Sequence, residues 1–314
     1  MMKNFMLKIG IIRRNGLGDL LCVMPLVSLC KARFPGSRVT LFVDSRGAPL
    51  LPYLEGVDEA VVIPSSANKY VALGKTLWSQ RDQKFDILIS AKPSPMKLLN
   101  LFLYALRGKK RIAYVDQSWH SRLITDPRLY DPEEERHQMV KSLRLLDPSI
   151  ETVPSAFRPR LIVIPSYQFT EPTLLISVTN NRIGSTLDND KVQQLLNQLA
   201  SKKSFQVVIN CEPKDNRRAQ DLAKGLRVPV QVIPTATFDE FIQLIASVDG
   251  FFGGDGGIMH LMAALDKPQV VLFGGTKIWE WAPLSEKAIC LGDPHNVNFI
   301  PKEEIQKALE KVFV

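Results

Sequence analysis

No run of apolar residues in this sequence is long enough to cross a bilayer, which takes ~18 of them. The densest stretch, LLNLFLYAL at Leu98–Leu106, stops well short, so a transmembrane protein is not expected. Cysteines are few and scattered. Cys22, Cys30, Cys211 and Cys290 form no C-x-x-C pair and no Cys/His cluster of the kind that holds zinc. They read as reduced thiols of a cytoplasmic protein. The first apolar segment runs straight into Arg13 and Arg14 without a small-residue cleavage site, so a secretory leader is not expected either. No RNA- or DNA-binding motif accompanies the basic charge.

What is present describes a folded protein. The 314 residues are 45% hydrophobic and 23% charged, and that length favours two domains over one. The net charge of +8 is unevenly placed. Residues 1–160 hold 25 Lys/Arg against 15 Asp/Glu, and residues 161–314 hold 15 against 17. The first half is therefore expected to face an anionic partner: nucleic acid, anionic lipid or an acidic glycan.

Short β-rich runs alternate with amphipathic stretches throughout, the pattern of βαβ units and parallel sheets. In the first half MLKIGIIR, RVTLFVD, EAVVIP, FDILIS and KRIAYV predict strands. Asp19–Phe34, Asn68–Arg81 and Pro95–Leu106 predict helices, residues 126–132 a turn, and PEEERHQMVKSLRLL a helix opened by proline and acids. Residues 147–172 carry five prolines and little periodicity, which marks an interdomain connection. Beyond it TLLISVT, FQVVIN, VQVIP, GFFGG, QVVLFGG and AICLG predict strands. Helices are predicted at Asn189–Ser201, Asp215–Leu226, Phe238–Ser247, Gly257–Leu265 and Lys302–Phe313. The expectation is two doubly wound α/β domains, 1–160 and 161–314. Ligands would bind at the carboxyl ends of the strands, in a cleft between the domains.

Two glycine-rich loops follow predicted strands. In RRNGLGDLL, Gly16 and Gly18 superficially fit a dinucleotide fingerprint with Asp44 as the ribose acid, but Leu21 occupies the third glycine position. Asp19 would also repel a pyrophosphate at the helix N-terminus. Asp19 is either a functional carboxylate or a helix N-cap. In GFFGGDGGIMHLMAALDKPQVVLFGG, Gly256 and Gly257 offer bare N–H groups and a helix dipole to an anion. Asp255 there reads as a ligand-site acid or a cap, and His260 as a site residue or a core histidine. Arg182, after the first strand of the second half, is placed to meet a phosphate, or is a surface arginine. Asp188 and Asp190 form a D-x-D triplet, read as metal ligands or as a cap with a first-turn acid.

Taken together, RRNGLGDLLCVMPLVSLCKARFPGSRVTLFVD and GGDGGIMHLMAALDKPQVVLFGGT resemble glycosyltransferase family 9, the heptosyltransferases of the bacterial lipopolysaccharide inner core, over essentially the full chain. The resemblance implies a GT-B fold of two Rossmann-like domains, the N-terminal binding the acceptor and the C-terminal the nucleotide sugar. It implies inverting transfer without a metal or other cofactor. It makes Asp19 the general base and puts the family's D-x-G-x-x-H motif on Asp255, Gly257 and His260. Arg182 would contact the diphosphate and Asp215 the nucleoside. The sequence departs from the family's G-P-T-D-P, reading Gly274-Gly275-Thr276-Lys277.

On this reading Asp19 takes a proton from an acceptor hydroxyl as that oxygen attacks the donor's anomeric carbon. The leaving diphosphate, from ADP-heptose, is stabilised by Gly256, Gly257, Arg182 and Thr276. Arg13, Asn15, Gly16 and Gly18 would line the acceptor side. The acceptor is expected to be an anionic, lipid-linked glycan, met in the cytoplasm at the face of the inner membrane. RGKKR at Arg107–Arg111 either touches that surface or ends an ordinary buried helix. A different nucleotide sugar, a non-catalytic sugar-nucleotide binder and an NAD-dependent dehydrogenase are the competing expectations.

Overall fold

A computed structural model of the chain describes residues 6–14, 16–64, 68–180 and 182–314. They form two units that divide between Pro159 and Arg160, within the proline-rich stretch.

Unit 1 holds six strands: β1 (Lys8–Arg13), β2 (Arg38–Asp44), β3 (Glu59–Ile63), β4 (Ile87–Ser90), β5 (Lys110–Val115) and β6 (Asp126–Leu129). All pair in parallel, in the order β3-β2-β1-β4-β5-β6. β1 and β4 are buried through nearly their whole length because helices cover both faces of the sheet. On one face lie α3 (Lys69–Ser79) and α4 (Lys97–Ala105). Their Ala72, Leu73, Leu99, Phe102 and Leu103 pack in one core with Leu88 and Phe42. Phe42 meets the rings of Phe85 and Phe102 edge-on at 5.8 and 6.0 Å. α1 (Leu17–Leu21) and α2 (Met24–Arg33) follow β1, and α2 packs against α5 (Gln138–Arg144).

Three local expectations in unit 1 need correction. The helix expected over 19–34 breaks at Cys22–Val23, because Pro25 in the first turn of α2 has no N–H to donate to the carbonyl of Leu21. Residues 126–132 begin with a strand, β6, at the sheet edge, where Pro127 costs no ladder bond. The helix expected from Pro132 starts only at Gln138, with the His137 ring accepting from the N–H of Met139. Glu134 instead pairs with Arg136 and Arg144, and so does Glu151.

Unit 2 repeats the plan with β7 (Thr173–Ser177), β8 (Gln206–Cys211), β9 (Val230–Pro234), β10 (Gly250–Gly254), β11 (Gln269–Gly274) and β12 (Ala288–Asp293). The order is β12-β11-β10-β7-β8-β9, again all parallel. Counted from its own first strand, each sheet has the order 3-2-1-4-5-6 of a Rossmann unit. The helices are α6 (Asn189–Ala200), α7 (Asn216–Lys224), α8 (Phe238–Ser247), α9 (Gly257–Ala264), a four-residue α10 (Ile278–Trp281) not foreseen in the sequence, and α11 (Lys302–Phe313). Leu195, Leu196 and Leu199 of α6 and Leu309 of α11 pack on Val207, Ile209 and Phe252. A capping box of Thr237 and Glu240 starts α8. The strand order reverses between β1 and β4 in unit 1 and between β7 and β10 in unit 2. The carboxyl ends there are the two binding edges this topology provides.

Burial governs the cysteines. It pushes the Cys22 and Cys30 thiols up to about 12 and Cys290 to about 11, and it also raises Cys211. The thiolate is the reactive form, so alkylation at neutral pH is expected to leave the native chain unmodified and to modify it only in denaturant. Intact-mass measurement checks this, and rapid native labelling of Cys22 would contradict the packing around α1.

Candidate functional site

At the carboxyl end of β1 the chain turns through the glycine-rich loop into α1. Gly16 is the N-cap of this helix and Asp19 its third residue, so Asp19 does not cap it. Its carboxylate, about a quarter exposed, forms an ion pair through Oδ1 with Arg13. Arg13 is the last residue of β1 and is only 3% exposed. Its other terminal nitrogen donates to the carbonyl of Ala91 at 2.5 Å, just past β4. The guanidinium thus crosses the β1–β4 switch point and fixes Asp19 there. The space beside Gly16 is open, with no atom within 4 Å of a Cβ built on it. Gly18 is half-buried in α1, and Asn15 lies outside the described residues.

Lys92, next after Ala91, was missed in the sequence. Burial pushes its ammonium below the ordinary lysine value, Arg13 adds to that shift, and Asp19 opposes it. A lysine directly after a predicted strand, at the carboxyl end, is the signal that would have found it. Asp44, the ribose-acid candidate, is held by Arg14 at 2.8 Å.

In unit 2 the residues after β7, β10 and β11 converge. Asp255 is fully buried, and its carboxylate accepts from Arg182 on one oxygen and Ser185 Oγ on the other. Arg182 also donates to Thr276 Oγ1 at 3.1 Å. Asn180 Nδ2 bridges the carbonyls of Ser185 and Asp255, both at 3.2 Å, and its Oδ1 accepts from the Arg182 N–H. Asp255 is therefore not a cap, since Gly256 is the N-cap of α9, and Arg182 is no loose surface residue. The guanidinium is pinned by a buried carboxylate, which preorients its remaining N–H groups.

Backbone packing explains the glycines. A Cβ on Gly254 would lie 1.8 Å from the Ser185 carbonyl oxygen, and one on Gly274 would lie 1.8 Å from that of Gly184. Gly256, by contrast, faces open space at the N-terminus of α9. His260 is buried one turn into that helix. Asp215 precedes α7 and accepts from Thr179 Oγ1 at 2.7 Å, which ties it to the loop carrying Asn180. A small cavity of about 20 Å³ lined by Ser177, Asn180, Asn189, Arg218 and Gly254 lies on the α6–α7 side, and Arg182, Asp255 and Thr276 do not line it. Asp188 occupies the N-cap position of α6 and Asp190 its first turn. Among the described residues no three His, Cys, Asp or Glu side chains gather as a metal site, and no helix is long and apolar enough to cross a membrane.

Two parallel six-stranded Rossmann units, one presenting an arginine-braced carboxylate and the other an arginine beside an open helix N-terminus, give the chain the GT-B fold. The family model for glycosyltransferase family 9 (heptosyltransferase) matches residues 71–312, and the chain belongs to that family. It is 22% identical to lipopolysaccharide heptosyltransferase 3 of Escherichia coli K12, over 87% of this chain and 84% of the relative. It is 23% identical to lipopolysaccharide heptosyltransferase 2 of the same strain, over 90% and 87%. In fold it is similar to the E. coli ADP-heptose LPS heptosyltransferase II, with a TM-score of 0.80 at 20% identity over 98% of both chains. It is also similar in fold to the E. coli heptosyltransferase WaaC with ADP, with a TM-score of 0.77 at 14% identity over 98% of this chain and all of that one.

Proposed function

We propose that this glycosyltransferase moves a heptosyl residue from ADP-heptose to an anionic, lipid-linked inner-core glycan of lipopolysaccharide, with inversion and without a metal ion, in the cytoplasm. The observation that carries the reading is Asp19, a partly exposed carboxylate braced by a buried arginine at the switch point of unit 1. Arg13 takes Oδ1 and leaves Oδ2 for a substrate hydroxyl. Asp19 accepts the hydroxyl proton as that oxygen forms its bond to the anomeric carbon, and the bond from that carbon to the diphosphate breaks. Arg13, being buried, acts as a positioning residue rather than an acceptor contact. Lys92 and the positive surplus of unit 1 supply charge for an anionic acceptor, and open Gly16 lets a sugar approach the backbone.

The departing diphosphate is assigned to unit 2. The N-terminus of α9 at Gly256 and Gly257, the guanidinium of Arg182 and the hydroxyl of Thr276 offer fixed donors where its charge develops. Asp255 holds Arg182 in place, Asp215 is assigned to the nucleoside, and His260 to the sugar side of the same loop. The names of the relatives and the adenine nucleotide of the fold neighbour support ADP-heptose as the donor.

One observation favours a second reading, transfer from another nucleotide sugar. Gly275 has φ +78°, which the proline of the family pattern cannot adopt, and Lys277 stands where that pattern has an acid, its ammonium 5.0 Å from the Trp279 ring. A thermal-shift panel separates the two. ADP-heptose is expected to raise the melting temperature at concentrations where GDP- and UDP-sugars do not, and EDTA is expected to change neither that shift nor turnover. A shift with a UDP- or GDP-sugar alone would overturn the donor. Activity lost in EDTA and restored by a divalent ion would promote Asp188 and Asp190 to ligands.

A further inference from the structure

Unit 1 carries a second surface that the transfer reaction does not use. α3 and α4 lie side by side on one face of the sheet, their buried stripes packed in the same core, so their opposite stripes look away from the protein together. Those outer stripes are not polar. Trp78 is 71% exposed, Tyr70 59% and Tyr104 55%, and Val71 and Met96 are exposed with them. Trp119, 56% exposed, stands beside α4 because Asn100 of that helix bonds the ring and carbonyl of its neighbour His120 at 3.0 and 3.5 Å. Surface aromatics in contiguous patches mark interaction sites.

Each of these aromatic rings has a cation over it. Arg81 lies 4.7 Å from the Trp78 ring, Lys97 5.3 Å from Trp119, Arg111 5.6 Å from Tyr104 and Lys69 5.9 Å from Tyr70. Residues 68–81 and 91–115 together hold nine Lys/Arg and no Asp or Glu. RGKKR contributes less than its letters suggest. Lys109 and Lys110 are paired with Asp86 and Asp126, and Arg111 bonds the carbonyls of Leu123 and Gly108.

We propose that the outer face of α3 and α4, with Trp78, Tyr70, Tyr104 and Trp119 at its centre, docks on an anionic lipid bilayer. Trp and Tyr place an apolar body and a polar tip at the headgroup level, and Lys and Arg around them meet the lipid phosphates. The charge argues against a second copy of the chain as occupant, because a symmetric contact through this face would set positive on positive. α4 begins at the carboxyl edge of β4 beside Lys92, so a face lying on the bilayer keeps the Asp19 edge close to it. The surface stands on its own chemistry, and only its use rests on a lipid-linked acceptor.

Co-sedimentation tests it, with vesicles of phosphatidylcholine alone or mixed with phosphatidylglycerol. The wild-type chain is expected to bind the mixed vesicles and to leave the neutral ones in solution. Trp78→Ser or Trp119→Ser should weaken binding about tenfold each. Lys69→Gln and Lys75→Gln should each weaken it roughly fivefold. Phe299→Ser in unit 2, an exposed aromatic elsewhere, should change nothing. All are surface substitutions, expected to leave turnover of a soluble acceptor fragment at the wild-type rate, so failure of the transfer reading would show separately. The proposal is overturned if the mixed vesicles sediment no protein at low salt or if Trp78→Ser binds as wild type. It is equally overturned if the Trp variants instead abolish self-association or capture of an acidic protein.

Discussion

Asp19→Asn is expected to lose transfer by about 10²–10⁴-fold in kcat, the range for removal of a general base, while donor affinity stays at the wild-type value. The substitution also removes the charge that compensates Arg13, a guanidinium only 3% exposed. Breaking a buried pair is costly. The quarter exposure of Asp19 reduces that cost, and Oδ1 of asparagine still accepts the hydrogen bond, so about 1–3 kcal/mol of stability is expected to go. Activity loss through destabilisation must therefore be told apart from loss of the base. The double variant Arg13→Met/Asp19→Asn leaves no stranded charge and should regain most of the melting temperature without regaining turnover. If the double variant recovers activity together with stability, Asp19 is structural.

The second large effect separates two glycines on either side of Asp255. Gly254→Ala forces a methyl to 1.8 Å from the Ser185 carbonyl. That carbonyl is held by Asn180, while the Ser185 hydroxyl is bonded to buried Asp255. With little freedom to relax, the change is expected to cost about 3 kcal/mol, the upper part of the overpacking range. Melting of unit 2 would then fall by roughly 6–12 °C. Gly256→Ala meets no atom within 4 Å, and its φ of 172° is extended backbone open to any residue. It should melt as wild type yet bind the nucleotide sugar at least about tenfold more weakly, because the methyl stands where the phosphate must approach the α9 N–H groups. Calorimetry and donor titration on both variants check this. Unchanged donor affinity in Gly256→Ala would move the diphosphate away from α9.

The fold was largely legible because two-sided burial leaves a plain mark: strands such as RVTLFVD and helices such as Phe238–Ser247 and Lys302–Phe313 appear at the residues their patterns indicate. Misreadings arose where a local signal had a competitor. Proline and acids at 132–135 look like a helix start until Arg136 and Arg144, set by tertiary packing, take Glu134. Pro25 reads as a helix-entry residue, and the break it forces in 19–34 becomes visible only once its missing N–H is set against the carbonyl of Leu21. In the site, Asp19 and Asp255 were legible as acids in glycine loops after strands, and Arg182 as a cation after another. Their partners were not. That Arg13 is buried and that Ser185 caps the second oxygen of Asp255 depend on strand order, and so does the placing of Lys92 beside Asp19, although its position after a predicted strand was a usable local signal. The glycine interlock of 184, 254 and 274 is likewise a contact between loops distant in sequence.

Inverting, metal-free heptosyl transfer is read out by incubating the wild-type chain with ADP-heptose and an inner-core acceptor lacking one heptose, in EDTA, with the product followed by mass spectrometry and the anomeric configuration by NMR. The expected product is an acceptor that has gained a single heptosyl residue with inverted configuration, and Asp19→Asn is expected to give no product. Retention of configuration, or transfer from a UDP- or GDP-sugar but none from ADP-heptose, would contradict it.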